Sequence, residues 1–115
     1  MRARAPSLIP RLSMHLVQLL LPLRDNEGRP FPRAEFDRVK LELTDRFGGV
    51  TAYLRSPASG AWRQEDGDVT HDDMAIVEVM DEDLDRPWWQ SYRRDLEHRF
   101  RQDEVMIRAT ATERL

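Results

Sequence analysis

Five side chains in this sequence are of types that could act together on a small molecule: Tyr53, Arg55, Trp62, Glu78 and Arg108. Two guanidinium groups can hold a carboxylate or phosphate through charge-assisted bidentate hydrogen bonds. Tyr53 and Trp62 offer flat apolar area, and Glu78 can act as an acid or base inside such a cleft. Two Arg exceed what one Glu needs for pairing, so the set predicts a positive spot on a chain of net charge −3. Its fitting ligand is a small anion with a flat apolar part. A plainer reading of the same residues is a cross-strand ion pair between Glu78 and Arg55, a weak surface interaction.

Other constellations say less. His71-Asp72-Asp73 has metal-capable side chains but lacks the spaced second pair that zinc requires, and His15 and His98 lie far from it in sequence. The acidic turn Glu65–Asp68 lacks the alternating acids and distal Glu of a calcium loop. The chain has no Cys, which excludes disulfides, thiolate metal sites and Cys nucleophiles. No Ser stands in a nucleophile-elbow pattern. No metal and no cofactor are expected. The net charge of −3 gives no push toward nucleic acid, which usually requires a basic stripe.

The elements that must carry these residues come from a stripe that occurs twice. Phe36, Val39, Leu43 and Phe47 are spaced +3, +4, +4, and Trp89, Tyr92, Leu96 and Phe100 repeat those intervals. Each set predicts an amphipathic helix, near 33–47 and 86–101. An apolar run precedes each helix and a strand-like run follows it. Strand–helix–strand, twice, predicts an α+β fold from two halves. Alternation sorts the strands into faces: Val17, Leu19, Leu21, Ala75, Val77, Val79, Val105, Ile107, Ala109, Val50, Ala52 and Leu54 share the face that lies beneath both helices. Pro32 and Pro87 suit first turns, Gly48-Gly49 reads as a C-cap, and the acids Asp81–Asp85 read as a helix start. The first and third strands are the most apolar and should be central. With right-handed crossovers this is a ferredoxin-like βαββαβ sandwich with strand order fourth–first–third–second, plus a short hairpin around Trp62. The expected organisation is an irregular arm over 1–13, one domain over 14–110 and a tail over 111–115.

The second sheet face should present Leu16, Leu20, Ile76, Met80 and Met106 around Gln18, Tyr53, Arg55, Glu78 and Arg108. Five aliphatic side chains in one patch predict a homodimer through this face. The competing cover is the Trp62 hairpin or the N-terminal arm. The apolar stretch Leu16–Leu23 is far shorter than the ~20 residues of a membrane span. Arg2, Arg4 and Arg11 before it resemble a signal region, but no small-residue cleavage site follows, so a cytoplasmic protein is expected.

The succession Phe47-Gly48-Gly49-Val50-Thr51, then Gly60-Ala61-Trp62-Arg63, then Asp66-Gly67 before an apolar strand resembles a family of small uncharacterised bacterial domains with an F-x-G-[VL]-T, G-x-W-R and D-G pattern. That resemblance implies the ferredoxin-like plan and no activity. The leading functional expectation is a homodimeric module that binds a small anionic ligand or a protein partner through its sheet face. The alternative is a dimeric α+β barrel enzyme acting on a small, possibly aromatic, substrate. RNA binding across the sheet would need exposed aromatics on the central strands, which carry Leu, Gln, Ile, Glu and Met instead.

Overall fold

A computed structural model describes residues 14–55 and 74–115, with the backbone alone at Arg55. The expected N-terminal arm, the Trp62 hairpin and the His71 loop lie outside the described residues. The elements run β1 (His15–Pro22), α1 (Arg33–Phe47), β2 (Thr51–Arg55), β3 (Met74–Asp81), α2 (Arg86–Arg99) and β4 (Met106–Ala111). All three strand pairings are antiparallel, in the order β2-β3-β1-β4. This is the ferredoxin-like α+β fold that the two stripes predicted.

Both helices pack on one sheet face. Val39 and Leu43 of α1 join Trp89, Tyr92 and Leu96 of α2 over Val17, Leu19, Leu21, Val77 and Val79, with Phe100 fully buried just beyond α2. Phe36 and Phe47 sit at the margin of this core, half-buried. Phe47 stacks on Trp89 at 5.3 Å and meets Trp88 edge-on at 5.6 Å, while Arg46 covers Trp88 at 4.1 Å. The helix-side face is less uniformly covered than expected. Leu54, opposite Ala75, is 71% exposed, because β2 is an edge strand at the margin of the helical layer.

The caps differ in detail from expectation. Pro32 is the N-cap of α1 rather than a residue of its first turn. Gly48 closes that helix at φ 84°, donating its N–H to Thr44 O at 2.8 Å, and only Gly48 of the glycine pair needs the left-handed conformation. The N-cap of α2 is Asp85, whose carboxylate accepts from Trp88 N at 3.1 Å, with Pro87 in the first turn as expected. Asp81 is no part of that helix start. It ends β3 on the helix side, buried, and accepts the Trp89 indole N–H at 2.9 Å. The alternation Ala75, Val77, Val79 continues into Asp81, so the acid is placed by the strand. Ala111 likewise belongs to β4, and Thr112 donates its N–H to Met14 O at 3.0 Å.

The two helices are also joined by a polar clip. Arg99 donates from Nη2 to both Glu42 oxygens, at 3.0 and 2.9 Å, and to Asp95 at 2.8 Å. Tyr92 donates its hydroxyl to Glu42 at 2.8 Å. Burial, helped by that hydrogen bond, pushes the Tyr92 phenol above its ordinary value, so it stays a donor well into the alkaline range. Glu97 ties α2 to the approach to β4 by accepting from Val105 N at 3.0 Å and from Arg93 at 2.9 Å. The Val105 backbone bond, with Arg93, holds its carboxyl below the usual range.

Candidate functional site

The sheet face away from the helices carries one polar row, running across all four strands. Gln18 on β1 stands opposite Arg108 on one side and Glu78 on the other. Arg108 Nε donates to Gln18 Oε1 at 2.9 Å, and Gln18 Nε2 donates to Glu78 Oε2 at 2.6 Å. The Tyr53 hydroxyl reaches the same Glu78 oxygen from β2 at 2.8 Å. The amide orientation of Gln18 is thereby fixed, its oxygen toward the guanidinium and its nitrogen toward the carboxylate.

Three of the five sequence candidates, Tyr53, Glu78 and Arg108, lie in or at the ends of this row. Arg55 stands outside it. The register sets Thr51 opposite Glu78, and Arg55 opposite Met74, four residues further along β3. At about 3.3 Å per residue the offset is roughly 13 Å, so Arg55 and Glu78 are not cross-strand partners. That expectation is corrected: the hydrogen bonds of Glu78 go to Gln18 and Tyr53. Arg108 and Arg55 start from opposite edge strands, Arg108 level with Gln18 in mid-sheet and Arg55 four residues away at one end. Trp62 lies outside the described residues. Gln18 is the member that sequence reasoning placed on the face but did not include in the site. Its signal was a lone polar residue inside the apolar run of β1, one of the two central strands.

Glu78 is half-buried, and no described Arg or Lys side chain lies within ion-pair distance of it. Its two donors are neutral. The apolar flank is mixed in exposure. Leu16 and Leu20 are half-buried, Ile76 is buried at its position opposite Leu20 and Tyr53, and Met80 and Met106 are the open members at 43% and 52%. The freely exposed aliphatic patch is therefore narrower than five residues.

A groove of about 460 Å³ adjoins the row and shares Glu78 with it. Its walls come from the α1–β2 connection, Phe47 to Thr51, and from Leu16, Val79 and Met80. A smaller hollow of about 240 Å³ lies on the helix side, between Trp89 and Arg93 of α2 and Ile107 and Ala109 of β4. Among the described residues no three His, Asp or Glu side chains gather as metal ligands do, and no helix is long and apolar enough to cross a membrane.

No family model matches the chain, and no curated protein matches its sequence. Among solved structures, the chain is similar to a phage SAM lyase in complex with S-methyl-5'-thioadenosine. The superposition covers 91% of this chain and 88% of that one, with a TM-score of 0.59 at 13% identity. At that identity the likeness is one of fold.

Proposed function

We propose that this chain binds a small nucleoside ligand carrying a positive centre on the sheet face away from its helices, with a second copy of the chain packed over that face. The observation that supports this reading is Glu78. Two neutral donors hold its half-buried carboxylate in place, and no described Arg or Lys side chain lies within ion-pair distance of it. A partly desolvated carboxylate without a cation is an unpaired cost that a bound sulfonium or ammonium relieves. The ligand class is suggested by the protein of similar fold that is named a SAM lyase and holds a thioadenosine. S-adenosylmethionine is such a nucleoside with a sulfonium centre. The small anion expected from sequence is retained at Arg108. Its Nε is engaged by Gln18, and its other N–H groups can take a ligand carboxylate.

Calorimetric titration tests the reading. S-adenosylmethionine should bind at least tenfold more tightly than the neutral S-methyl-5'-thioadenosine, as one charge-assisted contact of about 1.5–3 kcal/mol requires. Glu78→Gln should erase that difference. Equal affinities, or no binding by either compound, would remove the reading. A second reading is an enzyme of the dimeric α+β barrel kind, favoured by the name lyase on the similar structure; chromatography of an incubation with S-adenosylmethionine for a released thionucleoside tests it.

The second copy is supported by Met80 and Met106, exposed apolar side chains on that face. Wild-type protein should sediment as a dimer at micromolar concentration, and the Met80→Glu/Met106→Glu double variant as a monomer. Ile76 is unsuited to this test because it is buried within the fold. A monomeric wild type would discard the second copy.

A further inference from the structure

The helix-ending pair Gly48-Gly49 is more than a cap. Gly48 alone has the positive φ that a C-cap requires, and a side chain at Gly49 would meet no atom within 4 Å. Nothing in the backbone therefore demands glycine at position 49, and what the missing side chain leaves is space in the groove. β2 begins pairing at Thr51, opposite Glu78, while β3 runs on to Asp81. The β2-side edge of β3 beyond Glu78 thus has no described strand beside it, and the groove opens there.

We propose that this groove holds the planar heterocyclic ring of the ligand whose positive centre lies at Glu78. The inference rests on the nucleoside reading of the sheet face and adds where the ring goes and which residue admits it. Glu78 lines both the row and the groove, so one ligand can span the two. The volume lies within the range of small-molecule sites, and Phe47, Val50, Leu16 and Met80 give the apolar walls a ring requires. A strand edge presents N–H and C=O groups in one plane, matching the donors and acceptors along the rim of a heterocycle. The C-terminal end of α1 closes the groove with the negative end of its dipole, the same sign as Glu78, and so favours a cationic ligand over an anionic one.

The test is Gly49→Leu, a change that the free protein can accommodate and a ring in the groove cannot. Its circular dichroism and thermal midpoint should match wild type, while its affinity for both S-adenosylmethionine and S-methyl-5'-thioadenosine should fall at least tenfold. Glu78→Gln should behave differently, losing only the preference for the sulfonium compound. Should Gly49→Leu unfold, amide shifts of Gly48, Gly49 and Val79 in wild-type protein titrated with S-methyl-5'-thioadenosine give the same answer, and these must be among the largest seen. Wild-type affinity in Gly49→Leu, or unmoved amides, overturns the groove while leaving the nucleoside reading intact. A wild-type protein that binds neither compound overturns both.

Discussion

Phe100→Ala should lower the urea midpoint of unfolding by roughly 2 M, a loss of ~3–5 kcal/mol. Phe100 is fully buried, meets Phe31 edge-on at 5.0 Å and Phe36 at 5.4 Å, and donates its backbone N–H to Leu96 O at 2.8 Å as α2 ends. Its ring therefore joins three segments: the loop before α1, the first turn of α1, and the end of α2. Truncation removes transfer free energy and leaves a cavity whose walls belong to separate elements, so collapse around it is limited. Domains of this size have only ~5–15 kcal/mol in hand, so the variant should be partly unfolded at 37 °C. A midpoint shift below about 0.5 M would mean that these rings do not form one packed cluster.

Arg99→Ala should cost about 1–3 kcal/mol in the same assay, large for a residue whose partners are partly in water. The Arg99 side chain is only 10% exposed, and its loss leaves Glu42 and Asp95 without their shared cation. A fully buried pair broken from one side costs more, but Glu42 and Asp95 keep a third and a half of their surface in solvent, which discounts the penalty. Arg99→Lys should recover part of the loss, since all three contacts run from one nitrogen, Nη2, whose place an ammonium can take. In a double-mutant cycle, Glu42→Gln and Arg99→Ala should be non-additive by at least 0.5 kcal/mol. Additive losses would show that Arg99 contributes packing rather than the clip.

The fold was legible because side-chain period fixes faces. The +3, +4, +4 stripes located both helices to within two residues of their observed ends, and alternation placed Val17, Leu19, Leu21, Val77 and Val79 beneath them, with Gln18, Tyr53, Glu78 and Arg108 joined in one row on the other face. What alternation cannot fix is the offset along a strand, since a slip of two residues keeps every face and changes every partner. That is why Arg55 was expected beside Glu78, when Thr51 stands there and Tyr53 supplies the hydrogen bond. Gln18 was visible as a polar residue in an apolar strand, but its role as a bridge depends on both neighbours at once and emerges only from the register of three strands. Asp81 was hidden differently. Its place in an acidic run suggested a helix start, and only the buried indole of Trp89 gives a reason for an acid on the core face.

The strand order has a consequence for how the chain is born. β1 is central, yet its partners come late: β3 ends some sixty residues after β1, and β4 later still. At ~5–20 residues per second of synthesis, an apolar strand reading His-Leu-Val-Gln-Leu-Leu-Leu-Pro waits ~3–12 s for its first neighbour. Two-sided and unpaired, it is the segment of the nascent chain most prone to pair with the wrong strand or be held by a chaperone. The polar side chain in its middle, Gln18, interrupts that run during the wait, before Glu78 or Arg108 has been made.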